Sequence, residues 1–510
     1  MKPVLLAFLV LLCPYLNAQN KKPLAIEDAQ MSDYLAKRQL PTLTVKVLDA
    51  PGKTDIKCTM VTLGTSFQIT RHTITNEKGE AHITLDQNLP YQQIWLNVGN
   101  YLYTGVYVNT DLTVTINAVK ARHKRIYFNS DGVVYTGTDG ALNTAMTKHV
   151  LYKKREQDML ENTLETAFHG KPLGHPDTTF YKRADSIYKE LSRLDDEFIT
   201  QYPAFEWAVR NETDSWFYST ICIVHCGGDL PSNWLQKIKQ HTPYFTSNDG
   251  VLFYRYLSQY TRFHKGLPST GPAFRNQLTF IDRHFERPKA DILKLSLLEA
   301  YKDTFATTYP SIIQSTRTKW CRKRMEEELA QAFARQKDID SLLALQKSLD
   351  KDSIYIGTPL GTLPFDANLY RLDSIGNIDD FIVHLQSKFK GKAIIIDLWA
   401  TWCAPCLGDL PSSKQLHEAN KDLPVAYVYL CTSSNSSIAI WKNKVAGMKI
   451  PGTHIFINDA ILSKLRSRLD AEGGFPTYVV IDAVGKSHPK TITLMSRLNR
   501  EELKKVTGLK

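Results

Sequence analysis

Two cysteines separated by two residues are the groups of this chain best suited to chemistry, Cys403 and Cys406 in the run Trp399-Ala-Thr-Trp402-Cys403-Ala-Pro-Cys406. Thiols at that spacing on the first turn of a helix suit thiol–disulfide exchange. Cys403 falls where the helix opens, so its thiolate faces unpaired N–H groups and the positive end of the helix dipole, which lowers a thiol pKa. Cys406 follows one turn behind, close enough to attack a mixed disulfide on Cys403. Pro405 lacks an N–H and has a fixed φ, which suits the first helical turn. A single CxxC favours a redox pair over structural zinc, which needs a second pair of ligands. Leu407 follows Cys406 where covalent haem attachment needs His. No metal and no cofactor is expected.

Two elements must hold that pair. An apolar run from Ala393 to Leu398, interrupted by the carboxylate of Asp397, predicts a buried central strand leading into it. The residues that follow predict a helix whose first turn carries both cysteines. A carboxylate in an apolar strand should have a raised pKa, which suits proton shuttling near neutral pH. The plainer alternative for Asp397 is a satisfied core acid.

The stretch from Gly391 to Pro411 resembles the thioredoxin superfamily. Its WATWCAPC core is similar to that of the TlpA/ResA-like extracytoplasmic thiol–disulfide oxidoreductases. The resemblance covers roughly residues 355–510. It places Asp397 on the family's buried acid, Cys403 on the attacking cysteine, Cys406 on the resolving cysteine and Pro411 on the proline that kinks the helix. The run Gly473-Gly-Phe475-Pro476-Thr-Tyr-Val-Val-Ile-Asp482 matches the family's cis-proline loop. That match implies that Phe475 and Pro476 lie opposite the cysteines and, with Trp402, meet the substrate. Asp409 stands where relatives carry Glu, and its shorter side chain leaves an acid–base role open. The implied reaction is exchange with the disulfides or dithiols of partner proteins. Cys403 attacks, and Cys406, deprotonated with help from Asp397, releases the partner. Relatives act more often as reductants, which implies an upstream redox partner.

The chain has 510 residues, 43% of them hydrophobic, enough for several cores and two to four domains. Lys2, the apolar run Val4 to Leu12 and Leu16-Asn17-Ala18 before Gln19 predict a cleaved secretory signal and a periplasmic protein. Cys13 raises a rival, a lipoprotein anchor, but Leu12 stands where that processing needs a small residue. The signal's apolar run is too short to span a bilayer, and no later run is long enough. The formal charge of +11 is scattered. Its densest cluster, Arg317 to Arg324, reads as a solvated helix face, or else as a patch for an anionic membrane or acidic partner. No motif points to nucleic acid.

Seven cysteines remain after the signal, too few for a disulfide scaffold of this length. Cys222 and Cys226 lie four apart on an apolar helix and read as buried thiols; a strained disulfide or a metal site with His225 are the weaker readings. Cys431, at the end of the strand Val425 to Leu430, reads as core or as a third redox thiol.

In chain order, the signal (1–18) and a polar, flexible lead-in (19–40) precede a domain at 41–134. There Leu43, Val45 and Val47 alternate with Thr44 and Lys46, and turn signals recur, which predicts an antiparallel β-sandwich. Residues 135–350 show helical periodicity, with prolines dividing them into about seven helices. Residues 351–510 complete an α/β thioredoxin-like domain, with strands at 425–431, 453–457, 477–482 and 491–494 and helices near 436–446, 459–469 and 500–506. The fold class is therefore multidomain, β-sandwich then α-helical then α/β. Two functional alternatives stand beside exchange. A thiol peroxidase wants Thr at a set spacing before its cysteine and a nearby Arg; Thr401 is two residues away and no Arg is close in sequence. In a partner-binding protein, residues 41–350 would do the main work and the last domain would be auxiliary or redox-inactive.

Overall fold

The computed structural model describes residues 23–66, 68–121, 126–127, 132–168, 178–225, 228–263, 273–349 and 354–509. The expected signal, with Cys13, and Cys226 lie outside the described residues. The chain divides into two compact units, 1–330 and 331–510, each described by itself below.

The first unit opens with two facing sheets. One orders its strands Glu80–Thr84, Thr42–Leu48, Asp111–Asn117 and Val133–Thr136; the other orders Gln68–Ile74, Asp55–Val61, Gln92–Val98, Leu102–Val108 and Ile126–Tyr127. Leu43, Val45 and Val47 turn inward against Ile56, Cys58, Ile94 and Leu96 from the opposite sheet. This alternation is the period-two pattern of a half-buried strand. Pairing is mostly antiparallel, but Thr42–Leu48 runs parallel to Asp111–Asn117, and Leu102–Val108 parallel to Ile126–Tyr127. The polar lead-in is not loose in its described part. Ala25, Ile26 and Met31 are buried, and Glu27 accepts from the Tyr254 hydroxyl at 2.7 Å.

Nine α-helices follow among the described residues, from Gly140–Phe168 to Lys319–Ala344. They outnumber the expected seven because some breaks carry no proline. The chain turns through a 3-10 segment at Leu298–Thr304. The last helix starts where Asp291, from another helix, accepts from the amides of Arg317 and Thr318 and from the Thr318 hydroxyl. That cap comes from a residue distant in sequence, so no local signal marks it. Trp320, Cys321 and Met325 of that helix are buried while Lys319 and Lys323 are exposed. The Phe217, Tyr254 and Tyr260 rings fill the helical core.

The second unit is a seven-stranded sheet ordered Thr358–Leu363, Ala367–Leu372, Gly452–Ile457, Val425–Thr432, Ala393–Trp399, Thr477–Ile481 and Ser487–Pro489. The strand Ala393–Trp399 sits inside it, parallel to Val425–Thr432 and antiparallel to Thr477–Ile481. All seven of its residues are buried, as expected of an uninterrupted apolar strand covered on both faces. Ile394, Ile396 and Leu398 pack with Phe381 and Leu385 of the helix Ile378–Lys388 and with Ile461 and Leu465 of the helix Asp459–Arg468. Ile395 and Trp399 face the other way, onto Leu410 of the helix Ala404–Ala419, Trp441 of the helix Ile438–Met448 and Leu503 of the helix Arg500–Thr507. The α/β layering is that of a sheet sandwiched between helices.

Two features of this unit differ from expectation. The strand expected at Thr491 to Leu494 is absent; the last strand is Ser487–Pro489. Asp482 accepts from the amides of Val484 and Lys486, so the chain reverses tightly and pairing is over before Thr491. The hairpin of Thr358–Leu363 and Ala367–Leu372 was not anticipated either. It turns at Asp366, whose φ of 59° is the left-handed conformation that Asp tolerates.

Candidate active site

Cys403 is the N-cap of the helix Ala404–Ala419, with extended backbone and Pro405 in the first turn. Its sulfur accepts from the amide of Cys406 at 3.1 Å. Sγ thus occupies the place where a capping oxygen would satisfy an orphan helix N–H. A thiolate there gains both a donor and the helix dipole. Cys403 and Cys406 form a disulfide with Cα atoms 5.3 Å apart, and both sulfurs belong to the sheet's helix-facing core. Pro411 lies inside the same helix.

Asp397 shares the sheet face of Ile395 and Trp399, between Tyr429 on one neighbouring strand and Tyr478 on the other. It is 2% exposed, and its Oδ1 has no hydrogen-bond partner. Burial, with the Asp409 charge adding to it, pushes the Asp397 carboxyl well above the ordinary carboxylate range. An unpartnered, buried carboxyl is costly to keep, and such groups concentrate where protons move.

Asp409 is placed differently. It is buried on the cysteine helix, and its two oxygens accept from the Tyr478 hydroxyl at 2.5 Å, the Met495 amide at 2.6 Å and the Ser496 amide at 2.9 Å. Those donors fill the carboxylate and bind the cysteine helix to the strand Thr477–Ile481 and to the segment before the last helix. Asp409 acts through its neighbours, and Tyr478 is the member of this set that sequence reasoning missed. It lies two residues beyond Pro476, inside the very motif that identified the loop.

The Phe475–Pro476 peptide is cis. Trp402 is 51% exposed, its indole N–H donates to the Ser434 carbonyl at 2.7 Å, and its ring meets Phe475 edge-on at 5.8 Å. The structure thus brings Trp402 and Phe475 together at the surface next to Cys403, and sets Asp397 and Asp409 beneath. Cys431 pairs in register with Trp399; it is fully buried, and burial pushes its thiol up. Cys222 is buried in the helical core of the first unit. Both ring nitrogens of His225 are engaged, with the Tyr181 hydroxyl at 2.7 Å and the Ile221 carbonyl at 2.6 Å. Among the described residues no group of three or more His, Cys, Asp or Glu is placed to hold a metal ion. No helix of the described residues is long and apolar enough to cross a membrane.

The Redoxin family model matches residues 379–488, the segment that carries the strand, the cysteine helix and the cis-proline loop. Among solved structures, one from Bacteroides vulgatus assigned as a thiol–disulfide oxidoreductase is 30% identical, over 24% of this chain and 76% of that one, with a TM-score of 0.20. A thiol:disulfide interchange protein of the thioredoxin family from Chlorobium tepidum is 24% identical over 24% of this chain and 85% of its own, at a TM-score of 0.21. The thioredoxin domain of a second Bacteroides vulgatus thiol–disulfide oxidoreductase is 21% identical, over 29% of this chain and 86% of that one, at 0.20. The second unit thus carries a Redoxin domain and is similar in sequence to solved thiol–disulfide oxidoreductases.

Proposed function

We propose that this chain exchanges disulfides with partner proteins outside the cytoplasm, through Cys403 and Cys406, and that it works as a reductant. The observation that carries the reading is the Cys403 sulfur capping its helix, with the unpartnered Asp397 buried on the preceding strand. In the reducing direction the Cys403 thiolate attacks one sulfur of the partner's disulfide. A Cys403–partner S–S bond forms, the partner's S–S bond breaks, and the leaving partner sulfur takes from water the proton that Cys403 released on ionising. Cys406 gives its proton to Asp397 and attacks the Cys403 sulfur. The mixed disulfide breaks, and the second partner sulfur leaves as thiolate and takes the proton back. Two electrons and two protons have passed to the partner, and Cys403–Cys406 is left as the disulfide. An upstream dithiol must then reduce it.

Export rests on Lys2, the apolar run and the small residue at Ala18. The sparse cysteines outside the pair fit a fold that does not depend on structural disulfides. The deciding experiment equilibrates the mature protein against a thiol buffer, with Cys403→Ala as the blank. A potential near or below about −250 mV supports the reductant, and one near about −120 mV indicates an oxidant. A pair that never equilibrates overturns the exchange reading.

A further inference from the structure

The basic run from Arg317 to Arg324 takes no part in the exchange chemistry, and the fold divides its charges. Arg322 turns back onto the Thr316 carbonyl, its Nε donating at 3.1 Å. Arg324 pairs with Glu328 at 3.2 Å and Glu327 at 3.5 Å, and donates to the Leu63 carbonyl at 3.3 Å. Lys319 and Lys323 are left exposed, four apart and so on one face of the helix Lys319–Ala344. Neither makes an ion pair among the described residues.

Both lysines border a hollow of about 400 Å³ within the first unit. Its other walls are the short helix Met31–Lys37 of the lead-in and the loop at residues 86–89. Hydrogen bonds fix these walls to one another. The Asn88 side-chain amide donates to the Leu35 carbonyl at 2.5 Å, and Arg38 Nη1 donates to the Asn88 carbonyl at 2.9 Å. The Trp320 amide donates to the Ser32 hydroxyl at 3.4 Å. The hollow is therefore preformed, and a ligand need not organise it. Leu63, Leu89 and Trp320 give it buried apolar walls, and Leu40 adds an apolar side chain at 46% exposure.

Two N–H donors here lack an acceptor, Trp320 Nε1, on a residue 8% exposed, and Arg38 Nη2. Buried donors are normally paired, so unpaired ones beside a cavity call for an acceptor from outside the chain. Of the three carboxylates on the rim, Asp86 accepts from Arg71 and Glu327 pairs with Arg324. Asp33 is exposed and offsets one of the two lysines. A ligand with a single negative charge matches the surplus that remains.

We propose that this hollow binds a small monocarboxylate with an apolar body, of the class of medium-chain fatty acids. The carboxylate lies between Lys319 and Lys323, and the aliphatic chain lies against Leu63, Leu89 and the Trp320 ring. Ligand pockets are mostly apolar with a few convergent polar groups and occupy about 300–1,000 Å³, so this one takes a ligand of the smaller kind. A bilayer suits it less, because its acyl chains lie beneath its headgroups, out of reach of a hollow walled on three sides. The site does not depend on the chemistry of Cys403 and Cys406.

Calorimetric titration of the full-length protein with decanoate, decan-1-ol and butyrate is the test. Decanoate should bind at one site per chain, roughly tenfold or more tightly than either control, since butyrate lacks the chain and decan-1-ol the charge. Replacing both lysines, Lys319→Ala with Lys323→Ala, should weaken decanoate roughly tenfold and leave decan-1-ol unchanged. Both lysines are exposed, so the fold should survive their loss. Ala36→Trp, at an exposed position lining the hollow, should fill it and abolish binding of both. An absence of decanoate binding, or binding that neither variant changes, overturns the proposal. Binding of phosphatidylglycerol vesicles in place of decanoate, weakened by the lysine pair and not by Ala36→Trp, overturns it too and makes the cluster a membrane patch.

Discussion

Replacing Asp397 by Asn separates a proton-handling acid from a structural one. The change keeps the side chain's shape and removes its charge at a site 2% exposed. Burial raises this carboxyl above its ordinary 3.8, so the folded protein holds the proton more tightly than the unfolded chain. Its contribution to stability is therefore present at low pH and is lost as pH rises past the ordinary value towards the folded one. Each pH unit in that window costs about 1.4 kcal/mol. Asn does not titrate, so the stability gap between variant and wild type should move in the variant's favour as pH rises from 5 to 8. Amide hydrogen exchange across the strand Ala393–Trp399, compared at equal pH in the oxidised proteins, reads the local opening free energy. The same variant should exchange disulfides roughly 100-fold more slowly, the usual worth of a general base. A gap that stays constant with pH, together with an unchanged exchange rate, would refute both the raised carboxyl and its role.

Cys406→Ser should trap the partner on Cys403, seen as a mass increase equal to the partner and reversed by a small thiol, whereas Cys403→Ser should trap nothing. Asp409→Ala leaves the Tyr478 hydroxyl and two amides without their acceptor, so unfolding of the second unit should become easier by about 3–5 kcal/mol, measured by the same exchange method. In the first unit, Glu212 is buried with the Tyr107 and Ser247 hydroxyls donating to it, and burial raises its carboxyl. Glu212→Gln should therefore stabilise that unit more at pH 8 than at pH 5, as read by protection of the helix Glu206–Val224.

The active-site strand and the cysteine helix were legible because each is specified locally, whereas the cis-proline loop was read through the family resemblance. A β-branched run, a cap position and a proline all act within a few residues of themselves. Asp409 was harder. Its position on the helix could be read, but its three donors lie 69 to 87 residues downstream, and no pattern near Asp409 announces them. The Arg466 guanidinium lies over the Phe475 ring, 4.5 Å from its centroid, a contact that only the folded loop makes. The Lys319 helix start was hidden for the same reason, since Asp291 caps it from another helix. The described part of the lead-in looked loose because it is polar, yet Glu27 finds the Tyr254 hydroxyl across the fold and Met31 is buried. Where the deciding contact is long-range, composition and period are silent.

The Asp409 clamp also sets an order in time. A chain emerges from its N-terminus, so the cysteines appear well before Tyr478, Met495 and Ser496. Until those last residues arrive, the second turn of the cysteine helix lacks the donors that hold Asp409, and the buried acid lacks the strand that flanks it. The first unit can fold and find its surroundings while the thiols are still unframed. The donors that hold Asp409 are thus among the last few dozen residues made, and a chain cut short before Tyr478 would carry both cysteines and none of those donors.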